Sequence, residues 1–182
     1  RTERAYKIQW QGSKTFNRIK VQINTLLHRI ENYVFLDPRS QPVLTIRGAF
    51  PVFDQRQTNS NFYGGEAIVN YYLDALQVGQ SLSFVRAEKA KGGALPQIPP
   101  FQHTLFVKHE RKTKKWGLLS FTAEHQFTSE QHHFDETLEV SLPPKAVHLF
   151  TLRASSKFQV KKSDFSIGFE LWNLFDVKYW DY

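Results

Sequence analysis

The sequence predicts an all-β fold built from antiparallel strands. Three observations predict it. Apolar residues recur at every second position, turn-forming residues punctuate the chain at both short and long intervals, and no stretch carries a convincing helical period. Trp116–Phe127 shows the alternation well. One set of positions reads Gly117, Leu119, Phe121, Ala123, His125 and Phe127; the other reads Trp116, Leu118, Ser120, Thr122, Glu124 and Gln126. In an extended chain these sets point to opposite faces. One face is therefore mostly apolar, and the other becomes polar along its length.

About nine strands are expected, near residues 4–10, 17–36, 43–53, 55–73, 79–87, 101–110, 115–127, 147–160 and 163–174. In the second, Lys20, Gln22 and Asn24 alternate with Val21, Ile23, Thr25 and Leu27; the phase then slips near Leu26-Leu27-His28, as a β-bulge would cause. In the eighth, His148, Phe150, Leu152, Ala154 and Phe158 oppose Thr151, Arg153, Ser155 and Lys157. In the ninth, Phe165, Ile167, Phe169 and Leu171 oppose Asp164, Ser166, Gly168 and Glu170. Tight turns are expected at Gln11–Lys14, Leu76–Gly79 and Lys161–Ser163, and longer polar loops at 37–42, 88–100 and 128–146. These loops do not alternate cleanly with the turns along this strand order. The second and fourth strands exceed about 15 residues, against a mean of about 5 to 6 in soluble domains.

Composition narrows the function classes. The 182 residues include no cysteine, which removes disulfides, thiolate metal sites and cysteine nucleophiles together. No run approaches the ~18 apolar residues of a spanning helix. That excludes an α-helical membrane protein but not a barrel, whose strands need only about 9 to 11 residues with every second one apolar. Net charge is +7, but the basic residues are dispersed apart from His109–Lys115, which reads as a solvated turn. The clustering on one face that marks a nucleic-acid binder is absent. No nucleophile elbow, phosphate loop or isolated carboxylate pair stands out, so a non-enzyme is expected. Alternation alone leaves a membrane barrel, a β-sandwich, a lipocalin-like barrel and a jelly roll open.

Four stretches in order carry a more specific signal: RIENYVFLDP (29–38), LTIRGAFPVFDQRQTNSNFYGGEAIVNYYL (44–73), LSFVRAEKAKGGALPQIPP (82–100) and NLFDVKYWDY (173–182). Together they resemble the C-terminal part of the β-barrel of TonB-dependent outer-membrane receptors. Phe53–Thr58, Phe62–Glu66 and Leu95–Pro100 carry the closest matches. The resemblance spans nearly the whole chain, residues 1–182. It implies an antiparallel transmembrane β-barrel segment, about nine strands of a roughly 22-stranded barrel, with the plug domain, TonB box and last strand outside it. It further implies an outer-membrane location, lipid as a partner, and TonB engaged through the missing plug and box region. The cargo would be a scarce nutrient such as a ferric siderophore, haem, a metal ion, a vitamin or an oligosaccharide. No resident cofactor is expected. The alternative is a soluble β-sandwich or calycin-like ligand-binding module.

Under the barrel reading Phe121, Phe150, Leu152, Phe165, Ile167 and Phe169 face lipid, while Glu124, Arg153, Lys157 and Glu170 face the lumen. The seven histidines invite a metal hypothesis, because imidazole with carboxylate suits several transition metals. His125, His132 and His133, with Glu130 and Asp135, fall in or beside the longest loop and are the candidate ligand-binding residues. His132 and His133 are the candidate metal ligands, although their spacing matches no standard metal motif.

Overall fold

The computed structural model describes residues 2–39, 41–138 and 143–179. Among these residues there are ten strands: β1 (Arg4–Phe16), β2 (Ile19–Pro38), β3 (Val43–Thr45), β4 (Gly48–Phe50), β5 (Phe53–Leu73), β6 (Leu76–Lys89), β7 (Gln102–Thr113), β8 (Gly117–Thr128), β9 (Val147–Val160) and β10 (Ser163–Leu171). Eight of them form one antiparallel sheet in the order β1-β2-β5-β6-β7-β8-β9-β10, and β3 and β4 pair with each other. This is an up-and-down meander, as a barrel wall requires. The sheet is not closed, and β1 and β10 are its edges.

The stretch 43–53 is not a strand of the main sheet, which corrects the expected strand order. It divides into the small β3–β4 hairpin, an excursion between β2 and β5. The base of that excursion is closed by the Arg39 amide donating to the Val52 carbonyl at 2.8 Å and by the Arg39–Asp54 ion pair at 2.7 Å. With it removed, turns and loops alternate cleanly. Four tight turns lie at one end, at Asn17-Arg18, Asp74-Ala75, Lys114–Trp116 and Lys161-Lys162, while the long connections 39–52, 90–101 and 129–146 lie at the other.

Three further expectations move. Gln11–Lys14 is strand, not turn: the Trp10 indole lies over Gly12, where a Cβ would stand 2.7 Å from the ring. The chain instead reverses at Asn17, whose φ is +49°, a left-handed conformation that asparagine tolerates. The turn expected at Leu76–Gly79 lies at Asp74-Ala75, with Asp74 at φ +43°. Of the basic cluster, only Lys114 and Lys115 are in the turn; His109–Thr113 belong to β7.

The bulge in β2 lies between Ile30 and Tyr33, not at Leu26–His28, which keep regular register with Phe62–Gly64. Asn32 absorbs the extra residue at φ +55°. Before the bulge Lys20, Gln22 and Asn24 lie on one face; after it Tyr33, Phe35 and Asp37 take over that face, leaving Val34 and Leu36 on the other. One inserted residue reverses the parity of everything beyond it.

No second layer packs against the sheet among the described residues. The buried apolar side chains are Ala87, Ala94, Leu95, Leu138, Val147 and Leu149, all at the long-loop end. Large apolar side chains along the rest of one face are exposed, among them Ile8, Trp10, Leu27, Leu82, Phe84, Leu105, Phe121 and Ile167. A sandwich would cover that face with an opposing sheet. The β-sandwich alternative is therefore not favoured. β2 alone has 20 residues, or about 66 Å at roughly 3.3 Å per residue. That is far more than the apolar band of about 25 Å that a barrel wall needs.

Candidate functional site

Strict pleating sorts the side chains of β8, β9 and β10. Register brings Thr122, Arg153 and Glu170 into one row, with Glu124 one step along the same face. Arg153 Nη1 donates to Glu124 Oε2 at 2.8 Å and Nη2 to Oε1 at 3.3 Å, while Nε lies 3.3 Å from Glu170 Oε2. A planar guanidinium fork suits this bridging of two carboxylates. Lys157 lies on the same face and lines the same open cleft of about 470 Å³. The Asn24 amide donates to Glu66 at 3.1 Å, and that of Gln77 to Asn70 at 3.0 Å, extending the polar lattice to β2, β5 and β6. We call this the inner face. Phe121, Phe150, Leu152, Phe165, Ile167 and Phe169 all lie on the opposite, outer face, with exposures from 37% for Phe150 to 63% for Ile167 and Phe169.

The long-loop end holds the other cluster. β6 outruns β7, so its last residues lack a β7 neighbour and the loops fold onto them. The Leu95 amide donates to the Ala87 carbonyl at 3.0 Å, and Gln131 Nε2 to the Ile98 carbonyl at 2.6 Å. Lys89 Nζ donates to Asp135 Oδ2 at 2.9 Å, tying the β8–β9 loop to β6. His133 Nε2 stands 3.3 Å from Glu88 Oε1, which also accepts from the Tyr63 hydroxyl at 3.2 Å. Two clefts result. One of about 1000 Å³ is lined by Asp37, Arg39, Asp54, Arg56, Lys89 and Leu138. The other, of about 450 Å³, is lined by Tyr63, Arg86, Pro100, Glu130, His132 and His133.

Asp135 is held below the usual carboxylate range, first by the Thr137 hydroxyl at 2.6 Å and then by Lys89. A depressed carboxyl contributes stability above its unfolded value of about 3.9, lost as pH falls through the lowered value. The loop tie is therefore intact at neutral pH and released only in acid below the ordinary aspartate range. Carbon-detected NMR titration should place the Asp135 midpoint below about 3.9. Thr137→Val should raise that midpoint more than Lys89→Gln. The reverse ranking would make Lys89 the dominant partner.

The structure brings Glu130, His132 and His133 to one cleft but directs Asp135 to Lys89. His125 is not in the loop. It lies within β8 on the outer face, where its Nε2 is 2.9 Å from His148 Nδ1. Among the described residues no three His, Cys, Asp or Glu side chains are grouped to hold a metal ion. Sequence reasoning puts His148 on the same face as Phe150 but does not pair it with His125, and it misses Tyr63, Glu88 and Lys89. The pairing was accessible in principle, because the β8–β9 register sets Phe127 opposite His148 and His125 opposite Phe150. The other three depend on how the loops fold back, which no local pattern encodes.

No protein-family model matches the chain, and no curated protein matches it. Solved structures do. The copper transporter OprC superposes with a TM-score of 0.77 at 16% identity, covering 98% of this chain and 26% of that one. The fold is that of an antiparallel β-barrel segment. The chain spans about a quarter of the length of that transporter.

Proposed function

We infer that this chain is a wall segment of a TonB-dependent type of outer-membrane receptor, taking up a scarce nutrient such as a ferric siderophore, haem or a metal ion. The observation that carries the reading is the division of one long-stranded sheet into an exposed apolar face and an ion-paired polar face. All the tight turns lie at one end and all the long loops at the other. In a barrel the apolar face meets lipid, the polar face meets the aqueous lumen, and the long loops are extracellular. Phe121, Phe150, Leu152, Phe165, Ile167 and Phe169 then face lipid, while Glu124, Arg153, Lys157 and Glu170 line the lumen. The match to a copper transporter supports a metal or metal chelate as cargo. Ligand contacts fall to the outer loops, with Glu130, His132 and His133 at the cleft they line. Energy would arrive from TonB through a plug and box that belong to other parts of the protein. No residue here needs a catalytic role.

The test uses the full-length protein expressed in a Gram-negative cell lacking its own high-affinity copper and iron receptors. It should fractionate with the outer membrane and restore uptake of one such nutrient. Replacing residues 129–138 by a short Gly-Ser turn should lower uptake at least about tenfold by removing loop contacts and closure, without loss of the barrel from the membrane. A protein that is monodisperse in water without detergent, and confers no uptake, would contradict the reading.

A further inference from the structure

Basic residues far apart in the sequence meet at one end of the sheet. The four tight turns, Asn17-Arg18, Asp74-Ala75, Lys114–Trp116 and Lys161-Lys162, carry Arg18 and four lysines against one acid, Asp74. Arg18 lies 4.0 Å from Asp74, and both side chains are exposed. Among the described residues no carboxylate stands within ion-pair distance of Lys114, Lys115, Lys161 or Lys162. The long-loop end is the opposite. There Arg39 pairs with Asp54, Arg56 with Asp37 and Lys89 with Asp135. One end is neutralised from within; the other leaves its charge to whatever lies beside it.

The β7–β8 and β9–β10 turns are neighbours in the sheet. They stand two strands apart, about 10 Å at roughly 4.8 Å per strand, or about one Debye length at 0.1 M salt. Their four ammonium groups therefore act on an anion as one patch. Aromatic rings lie beside them. Phe16 and Trp116 are both more than half exposed. Lys14 Nζ stands 4.8 Å from the centre of the Phe16 ring, and Lys115 Nζ 5.3 Å from that of Trp116. Phe158 and Phe165 stack at 5.9 Å on the outer face, next to the Lys161-Lys162 turn. Exposed rings gather at the bilayer interface, and lysine stems lie along apolar surface with their amines in the polar layer. The lysines are on open turns, so they form a surface for an anionic sheet of headgroups and not an enclosed pocket for one small anion.

We propose that the tight-turn rim binds anionic phospholipid headgroups, with Lys114, Lys115, Lys161 and Lys162 against their phosphates. This rests on the barrel-wall reading, in which short turns face the periplasm. The rim then holds the barrel at a fixed depth against the periplasmic leaflet.

The full-length protein is placed in nanodiscs of phosphatidylcholine, alone or mixed with phosphatidylglycerol of the same chain length. Native mass spectrometry counts the lipids that stay bound. Wild type should retain phosphatidylglycerol over phosphatidylcholine by at least about fivefold, the effect of one lysine near an anionic surface. The fourfold variant K114Q/K115Q/K161Q/K162Q should lose the preference. The variant K20Q/K112Q removes two charges from the inner face near the same rim and should keep it. No preference in wild type, or a preference that survives the fourfold change, overturns the proposal. Should the fourfold variant fail to fold, wild type decides. Phosphatidylglycerol in the disc should slow acetylation of the four lysines by a water-soluble reagent, read by peptide mass spectrometry, while Lys20 and Lys112 react as before. Equal acetylation with and without it overturns the proposal. Protection by poly-glutamate but not by phosphatidylglycerol would assign the rim to an acidic protein and overturn it as well. A protein that enters no nanodisc of either composition contradicts the barrel-wall reading itself, whereas one that enters both without preference overturns this proposal alone.

Discussion

Ile167→Arg destabilises the assembled barrel by about 2 to 4 kcal/mol, the depth-dependent cost of an arginine on a lipid-facing barrel position near the bilayer midplane. Ile167 sits mid-strand in β10, 63% exposed, in register with Ser156 of β9 and between Phe165 and Phe169 on the same face. The long arginine stem reaches neither rim from there without tilting its neighbours. The control is Ser166→Arg, one residue away on the inner face, where Arg153 and Lys157 already stand. It should cost a small fraction of that. Urea unfolding of the lipid-reconstituted full-length protein measures both. Equal costs for the two substitutions would mean that the faces do not see different solvents.

Gly64→Val should cost about 1 to 3 kcal/mol, toward the top of the range for overpacking a filled position. Gly64 of β5 is opposite Val85 of β6, and a Cβ built on it meets the Phe84 carbonyl oxygen, with the Val85 Cα at 3.0 Å. Both obstacles are backbone of the paired strand, so relief requires the ladder to move. Its neighbour Gly65 is also tight, with the Asn24 carbonyl oxygen at 3.0 Å from a Cβ there. At Gly168 of β10, by contrast, the nearest atoms to a new Cβ are 4.0 Å away, so Gly168→Ala should be nearly neutral. Thermal unfolding of the two variants beside wild type checks the contrast. A neutral Gly64→Val would show that β5 and β6 separate more readily than this packing allows.

Much of this was legible in the sequence, for a physical reason. In a single pleated sheet with one apolar and one polar face, every residue carries the face signal, so alternation in β8, β9 and β10 separates the two sets of side chains directly. Elements that break the period were misread. Gly12 looked like a turn because glycine commonly is one, yet its missing side chain makes room for Trp10 within a strand. The β3–β4 hairpin looked like a wall strand because a short hairpin has the same local composition as one. The bulge lies at Asn32 and not at Leu26–His28, because Leu26-Leu27 mimics a phase slip while Leu26 simply lies on the inner face. At the loop cluster, Asp135 was expected to face a ligand. Its partner Lys89 is 46 residues away, and only the fold brings the two together.

The most direct test exploits the lack of cysteine in the chain. Single cysteines at Phe165, Ser166, Ile167, Gly168, Phe169 and Glu170 are placed one at a time in the full-length protein, any native thiols elsewhere having been replaced. Each is then exposed in outer membranes to a water-soluble thiol reagent. The barrel-wall reading predicts labelling at 166, 168 and 170 and protection at 165, 167 and 169, with the pattern inverted for a reagent that partitions into lipid. Uniform labelling along β10 by the water-soluble reagent would contradict it.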